Sequence, residues 1–503
     1  MNLVEVLNAT VRRRPDHPAL KWGSEEMTYK QLRDAADRAA TVFKERNVLP
    51  GDRVVVMTYN DPGFVVAMYG LWRMGAVLVP VNHKLTPSEL EHIASHSGAV
   101  LGIASAELIE TAQAGAKGIP WMTTSWEGGT FDDAVASAEP YAGPLASDSE
   151  YAQVLYTSGT TSAPKGCVHT HRGVSTIAPN VTSNIPFTGQ DRFLMAMPIW
   201  HASPLNNWLL TFMFVGGTVV LMREYDPATF LSLMEQEKIT SVFGAPIAFV
   251  GPVQLAKAEG RSVSEYDLSH ADKLIYGAAP LGEETARMLI DAYGTQNFYQ
   301  VYGMTETGPA GAVLKPEDQI RKAGSIGKGG MLGVDLRVID DQGADVEASG
   351  EGEIWMRTDS VMEVYMSNPR DTAEAFIDGW YRTGDVGRVD EDGYVYVIDR
   401  KKDIIITGGE NVYSSEVEEA IRGIDRVRDV AVVGRSHPEW GETVVAVVVT
   451  SDGQYLGVDE LRDHLSQKLA KYKIPREVIV AKGLPRNPSG KIMKHKIRAE
   501  IND

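Results

Sequence analysis

Short β-branched runs that break off in loops of small residues recur through residues 1–310, and they constrain the fold more than any other feature of the chain. Arg53-Val54-Val55-Val56-Met57 and Ala76-Val77-Leu78-Val79-Pro80 flank a helical pattern from Phe64 to Met74, and a longer amphipathic pattern runs from Met27 to Asn47. The strand signal returns at Gly217 to Met222, Ser241 to Gly244, Lys273 to Tyr276 and Phe298 to Val301. Apolar runs alternating with helical-period segments predict an α/β fold. Ligands of such folds bind beyond the carboxyl ends of the strands. The loops to watch are therefore Gly277-Ala278-Ala279-Pro280 and Tyr302-Gly303-Met304-Thr305-Glu306-Thr307, together with Pro198-Ile199-Trp200-His201-Ala202-Ser203. Gly/Pro punctuation after a strand is usually only a turn, so the order of these loops matters more than any one of them.

One loop differs in chemistry. The strand-like Val154-Leu155-Tyr156 leads into Thr157-Ser158-Gly159-Thr160-Thr161-Ser162-Ala163-Pro164-Lys165-Gly166, a run of hydroxyls and glycines closed by a lysine. Backbone N–H groups and small hydroxyls at a strand end form an anion nest, and Lys165 adds a full positive charge. The spacing is not that of the Walker loop, which needs glycine where Pro164 stands. Taken alone, the stretch also fits a Ser/Thr/Gly-rich surface turn.

Composition narrows the function classes. With 49 Lys and Arg against 67 Asp and Glu, the net charge of −18 disfavours an extended grip on nucleic acid or an anionic membrane. The single cysteine, Cys167, excludes an intramolecular disulfide and a multi-cysteine metal site, and fits a reducing, cytoplasmic setting. Met1 to Arg14 shows no basic segment followed by an apolar core, so no signal peptide is expected. The most apolar segment, Trp208 to Met222, is interrupted by Gly216-Gly217 and is shorter than the roughly 20 residues of a spanning helix. His83, His92 and His96 lack metal-ligand spacing and read as ordinary surface or structural histidines.

The pattern changes twice further on. From Gly324 to Arg400, short strands and turns are punctuated by Gly343, Gly350, Gly352 and Gly393. Residues 403–503 read as α+β: Ile404-Ile405-Ile406, a helix from Ser415 to Arg422, strands Asp429 to Val433 and Thr443 to Thr450, and a helix from Val458 to Leu469. The tail beyond is basic: from Lys471 to Arg498, the charges of Lys471, Lys473, Arg476, Lys482, Arg486, Lys491, Lys494, Lys496 and Arg498 face only Glu477 within that stretch.

These stretches together carry a resemblance. The phosphate loop, Gly277 to Pro280, Tyr302 to Thr307, Tyr381-Arg382-Thr383-Gly384-Asp385, Asp399-Arg400-Lys401-Lys402-Asp403, Gly408-Gly409-Glu410-Asn411-Val412 and Pro485-Arg486-Asn487-Pro488-Ser489-Gly490-Lys491 stand in the order found in the adenylate-forming superfamily. The chain resembles that group, which comprises acyl-CoA synthetases, luciferases and adenylation domains, and is closest to the acyl- or aryl-CoA ligases. One departure is Ser162, where the family loop usually has glycine; a serine restricts the backbone if φ > 0 is needed there.

The resemblance implies an N-terminal AMP-binding domain over residues 1–400, made of α/β sheets and a small β subdomain, then a mobile α+β domain over 401–503. It implies two half-reactions: a carboxylic acid attacks the α-phosphorus of ATP, releasing pyrophosphate, and the acyl-adenylate is passed to the thiol of CoA. Thr157, Ser158, Gly159, Thr160, Thr161 and Lys165 would hold the β,γ-phosphates, Glu306 would coordinate Mg²⁺ and Thr305 would meet the α-phosphate. Gly277, Ala278 and Ala279 would lie against adenine, with Tyr302 stacking and Gly303 beside it. Asp385 would accept hydrogen bonds from the ribose hydroxyls, and Arg400 would donate to them. Lys491 would bridge carboxylate and α-phosphate, Lys402 would be the hinge, and Gly408-Gly409 would line the pantetheine tunnel. Trp440, Lys471, Lys473 and Arg476 are candidates for the nucleotide end of CoA, Trp440 being equally readable as a packing residue.

Trp200-His201 occupies the place where amino-acid-activating relatives carry an aromatic-Asp pair, and a histidine does not pair with an α-ammonium. The pair resembles the aromatic-histidine pair of acyl- and aryl-CoA ligases, and the resemblance implies that His201 gates the carboxylate channel, with Trp208, Phe249 and Gly303 lining the acyl pocket and Asn206 and Asn207 near a polar substituent. Two other readings share these residues: adenylation with transfer to an amine, carrier protein or other nucleophile, and an inactive ligand-binding homologue. The joint presence of Glu306, Asp385, Arg400 and Lys491 argues against the latter.

Overall fold

A computed structural model describes residues 1–157, 164–407, 410–438, 440–451, 453–466, 468–486 and 492–502. Packing divides the chain into two compact units: one of Met1–Thr157, Pro164–Leu336 and Met356–Tyr381, the other of Arg337–Trp355 and the chain from Arg382 onward. The chain passes between them inside strands Val334–Ile339, Glu351–Thr358 and Trp380–Val389. Among the described residues, no helix is long and apolar enough to cross a membrane.

The first unit holds two large sheets. In one, strands Phe298–Tyr302, Lys273–Gly277, Ser241–Gly244, Arg192–Met195, Thr218–Leu221 and Pro18–Trp22 lie side by side in parallel, with antiparallel edges at Ala312–Leu314 and Glu25–Thr28. In the other, Val77–Pro80, Arg53–Met57, Leu101–Ser105 and Trp121–Thr124 are parallel. Tyr151–Thr157 joins them in parallel, and an antiparallel hairpin then carries the sheet on to Lys165–Thr170 and Val364–Tyr365. Parallel strands are covered on both faces, which is why runs such as Val54-Val55-Val56-Met57, Val77-Leu78-Val79 and Val219-Val220-Leu221 are continuously apolar rather than alternating.

Helices cover the sheets for local reasons. Helix Tyr29–Glu45 starts at Thr28, whose hydroxyl caps Gln31 while the Gln31 side chain reaches back, so the amphipathic pattern expected from Met27 begins two residues later. Helix Pro62–Met74 is buried all round, ends at Gly75 in the left-handed conformation (φ 83°), and packs on Tyr29–Glu45 within one large core.

In the second unit, strands Val427–His437 and Gly441–Thr450 form a long antiparallel pair, extended by Ile405–Thr407 on one side of Gly441–Thr450 and by Glu477–Val480 in parallel. Alternate residues serve two faces: Val430 and Val432 meet Val417, Ile421, Leu461 and Leu465, whereas Ala431 and Val433 meet Ile497. The strand expected at Ile404 to Ile406 lies at Ile405–Thr407, and the helix expected to reach Leu469 ends at Leu465.

The basic tail is matched by carboxylates from the earlier half of the unit, invisible to a local reading of charge. Lys473 pairs with Glu416, Arg486 with Asp429, Lys494 with Glu418 and Arg498 with Asp403.

Candidate active site

The hydroxyl-rich loop joins two antiparallel strands. Thr157 stands opposite Lys165 in the ladder between Tyr151–Thr157 and Lys165–Thr170, so both ends of the loop are held together. Ser158, Gly159, Thr160 and Thr161 lie outside the described residues, as do Gly408, Gly409 and Lys491. The Lys165 ammonium forms an ion pair with Asp371 and lies 5.0 Å from the centre of the Tyr365 ring. Hydrogen bonding from Lys165 holds the Asp371 carboxyl below the usual carboxylate range. Asp371 sits in the first turn of helix Pro369–Ala375, capped by the Asn368 side chain.

A carboxylate on this lysine competes with any phosphate that approaches it. Asp371→Asn is therefore expected to lower the KM for ATP about two- to fivefold, the scale of a partly exposed ion pair. The change should shrink at high ionic strength. A KM that is unchanged or higher in steady-state titrations of the mutant would rule out competition at Lys165.

The adjoining strand ends supply the other expected residues. Gly277 stands opposite Val301 in the parallel ladder, and a Cβ at 277 would lie 2.9 Å from the Val301 carbonyl. Ala278 follows with φ 68°, a conformation costing an alanine about 1–2 kcal/mol. Ala278 and Ala279 are exposed beyond the strand. A Cβ at Gly303 would come within 2.1 Å of the Pro309 carbonyl, so only glycine fits between Tyr302 and the turn that follows.

That turn, Thr305–Thr307, is held from several sides. The Thr307 hydroxyl donates to the Ala310 carbonyl at 2.6 Å, the Ser360 hydroxyl donates to the Thr307 carbonyl at 2.7 Å, and the Met362 N–H donates to the Glu306 carbonyl at 2.7 Å. The Glu306 carboxylate accepts a hydrogen bond from the Tyr365 hydroxyl at 3.0 Å, and the Tyr365 and Tyr381 hydroxyls are 3.4 Å apart. Burial, and then the Glu306 charge, push the Tyr365 hydroxyl pKa up, so it is a protonated donor at neutral pH. Glu306 and Lys165, 141 positions apart in the sequence, thus meet on one tyrosine. Neither Tyr365 nor Asp371 was singled out by the sequence, because both lie in a stretch whose local pattern is only a short strand and a helix start.

In the second unit, Asp385 and Arg400 are direct partners in the antiparallel ladder of Trp380–Val389 with Val395–Arg400. The Arg400 Nε lies 2.5 Å from the Asp385 carboxylate, which is 3 % exposed. Thr383 orders the bend: its hydroxyl donates to the Ile354 carbonyl and accepts from the Asp385 N–H. Lys402 lies in a single 3₁₀ turn, Lys401–Asp403, directly after Arg400. Trp440 carries the Arg476 guanidinium 3.3 Å from its ring centre and stacks with His437 at 4.4 Å. Of the basic residues expected near CoA, Lys473 is engaged by Glu416.

The Trp200-His201 segment is anchored from its base. The Asn60 amide donates to the carbonyls of Met195 and Met222, at 3.0 and 2.8 Å, and accepts from the Ile199 N–H at 2.7 Å. Of the two expected kinds of histidine, surface or structural, His83 is the structural one: it is buried, its ring lies 4.7 Å from that of Tyr59 at a tilt of 41°, and it accepts the Trp200 indole N–H at 3.1 Å. His201 is exposed, with its ring 5.6 Å from that of Trp200.

Ser203–Leu209 then forms a π-helical segment, a rare form that is frequent at functional sites. It directs Trp208 against Phe193 and Phe243 and to one wall of a small apolar cleft shared with Ile185, Val301, Val313 and Met331. Phe249 is fully buried among Phe230, Tyr293 and Phe298, a packing position rather than an open wall. Asn206 acts as a brace, its Nδ2 donating to the Gly308 carbonyl at 2.8 Å while its Oδ1 accepts from Gln153.

Among the described residues no three His, Cys, Asp or Glu side chains cluster closely enough to hold a metal ion. A single hard carboxylate such as Glu306 suits Mg²⁺, which takes one or two protein oxygens and completes its shell with phosphate and water.

The AMP-binding enzyme model matches residues 7–366, and the AMP-binding enzyme C-terminal domain model matches residues 416–491. Feruloyl-CoA synthase of an Amycolatopsis species is 37 % identical over 97 % of this chain and 96 % of its own. The long-chain-fatty-acid–CoA ligase FadD13 of Mycobacterium tuberculosis is 36 % identical over 95 % of this chain and 93 % of its own. Among solved structures, O-succinylbenzoate coenzyme A synthetase of Bacillus subtilis, in complex with ATP and magnesium ion, superposes with a TM-score of 0.86 at 26 % identity, covering 99 % of both chains. The chain therefore belongs to the AMP-binding enzyme family, the adenylate-forming superfamily, and is an enzyme of its AMP-forming acid–thiol ligase type.

Proposed function

We propose that the enzyme activates a carboxylic acid with an apolar body through an acyl-adenylate and transfers the acyl group to CoA. The observation that carries this reading is the meeting of Lys165 and Glu306 on Tyr365, beside the carboxyl ends of strands that present Gly277 and Tyr302. Two anions, the carboxylate and the triphosphate, must approach one another. Positive charge fixed in advance on the phosphates lowers that barrier more than any group that has to reorganise.

Lys165, with Thr157, Ser158, Gly159, Thr160 and Thr161, takes the β,γ-phosphates. Thr305 orients the α-phosphate and Glu306 holds Mg²⁺, which supplies charge neutralisation on the phosphate oxygens. Gly277, Ala278 and Ala279 leave room for adenine, Tyr302 stacks on it, and Asp385 and Arg400 take the ribose hydroxyls. Lys491 bridges carboxylate and α-phosphate as the new bond forms. His201 stands at the carboxylate channel, with Trp208 and Gly303 along the acyl pocket. An alkyl or aryl acid is supported by the relatives, named as a feruloyl-CoA synthase and a long-chain-fatty-acid–CoA ligase.

The functional division is placed between residues 1–400 and 401–503, with Lys402 as the pivot. Rotation there withdraws Lys491 and brings Gly408-Gly409 to the pantetheine arm, while Trp440 and Arg476 offer a stacking, cationic surface to the nucleotide end of CoA. The setting is the cytoplasm, in keeping with one buried, unpaired cysteine.

A pyrophosphate-release assay over a panel of alkyl, aryl and amino acids, with and without CoA, tests the reading. Turnover is expected with alkyl or aryl acids, and sustained turnover only when CoA is present. Release that CoA does not stimulate, or a preference for α-amino acids, would overturn it.

A further inference from the structure

The stretch around Tyr365 belongs to no loop or turn to which the proposed function assigns a part, yet it is bonded to two of them. Strand Val364–Tyr365 pairs with the phosphate-lysine strand, Tyr365 standing opposite Cys167, and the Met366 N–H donates to the Gly166 carbonyl at 2.8 Å. Two residues earlier the Met362 N–H donates to the Glu306 carbonyl. The backbone N–H of Tyr365 is itself fixed by the Thr372 hydroxyl at 2.9 Å. Its side chain is 8 % exposed, its hydroxyl reaches Glu306 at 3.0 Å, and its ring lies under the Lys165 ammonium.

We propose that Tyr365 is a positioning residue for the phosphate centre: its hydroxyl sets the Glu306 carboxylate for Mg²⁺, and its ring sets the Lys165 ammonium for the phosphates. The inference rests on the reading of Glu306 as the magnesium ligand.

A carboxylate has two oxygens and several lone pairs, so an O–H donor on one oxygen fixes the rotation of the group and leaves the other oxygen directed to the metal. The second hydroxyl, on Tyr381 at 3.4 Å, limits the directions in which the Tyr365 O–H can point. The ring face attracts the ammonium through its quadrupole, which is independent of the hydroxyl. The two functions of the side chain are therefore separable by mutation. Partners that orient a metal ligand usually change affinity for the metal rather than the fold when they are removed.

The test uses Tyr365→Phe in the full-length enzyme, with Tyr365→Leu, Glu306→Gln and the Tyr365→Phe/Glu306→Gln pair beside it. The primary readout is not turnover: it is the shift in melting temperature produced by a non-hydrolysable ATP analogue as Mg²⁺ is titrated. Tyr365→Phe is expected to move the Mg²⁺ midpoint up about ten- to hundredfold, the scale of one hydrogen bond to a charged group. Its melting temperature without ligand should stay close to that of the parent enzyme.

The adenylation rate of Tyr365→Phe should recover at high Mg²⁺, with the KM for ATP little changed. Tyr365→Leu should raise that KM as well, because it removes the surface under Lys165. In the Glu306→Gln background, Tyr365→Phe should add nothing. An unchanged midpoint in Tyr365→Phe, with a shifted one in Glu306→Gln, overturns the positioning role alone. An unchanged midpoint in Glu306→Gln overturns the magnesium reading and the inference with it. Should Tyr365→Phe melt early, Tyr381→Phe removes only the second hydroxyl, and absence of any midpoint shift there counts against the proposal.

Discussion

Lys491→Ala is expected to slow acyl-adenylate formation about a hundred- to thousandfold, the range seen when one preorganised donor is removed from developing charge. In the proposed function the lysine belongs to the first half-reaction only. There it would meet the carboxylate and the α-phosphate while the bond between them forms, an interaction stronger in the transition state than in either reactant. Thioester formation from supplied acyl-adenylate should therefore be largely intact, since the proposed rotation about Lys402 removes Lys491 from the centre before CoA attacks. Single-turnover measurement of each half-reaction separates the two. Equal losses in both steps would mean that Lys491 supports the second unit as a whole rather than the chemistry of adenylation.

Asp385→Asn comes second in size. The carboxylate is 3 % exposed and sits 2.5 Å from the Arg400 Nε, so it is already oriented for a ligand. Replacing it with an amide keeps the shape, removes the charge and turns one acceptor into a donor. Loss of a charge-assisted acceptor is worth about 1.5–3 kcal/mol, or an increase of roughly ten- to hundredfold in the KM for ATP. Discrimination between ATP and its 2′-deoxy analogue should shrink in step. A KM that rises while ribose discrimination stays constant would assign Asp385 to holding Arg400 and the ladder between its two strands, not to the nucleotide.

Several elements could be read directly from local chemistry. Strand Arg53–Met57 lies where its β-branched run predicts, and Lys273–Gly277 and Phe298–Tyr302 each extend one residue past the predicted end. Buried parallel strands read as nearly continuous apolar runs, such as Val54-Val55-Val56-Met57 and Leu274-Ile275-Tyr276, so their pattern shows even without alternation. The boundaries that moved did so at caps: Thr28 with Gln31 set the start of the first long helix, which the apolar period alone placed two residues early.

The order of the loops was equally plain, because each is a sequence-local turn and their succession resembles that of the adenylate-forming superfamily. Glycines 277 and 303 illustrate the limit of that reading. Their presence was visible, but the reason, a carbonyl within 2.9 Å and 2.1 Å of any added Cβ, belongs to the packing of neighbouring strands.

What the tertiary structure alone decided is which charges and rings meet. Asp385 and Arg400, 15 positions apart, were expected by resemblance at the same ribose, but that they are direct partners of each other comes from the antiparallel ladder. The basic tail was an unexplained excess of charge until Glu416, Glu418, Asp429 and Asp403 were folded against it. Phe249 was expected to line the acyl pocket, yet its helix turns it into an aromatic cluster. Tyr365 and Asp371 carried no signal at all, being one short strand residue and one helix-start acid. The physical reason is common to these cases. Main-chain pattern and turn chemistry depend on near neighbours, so the chain states them openly. Ion pairs and ring contacts act over a few ångströms in space, between residues such as Lys165 and Asp371 whose separation along the chain only the fold removes.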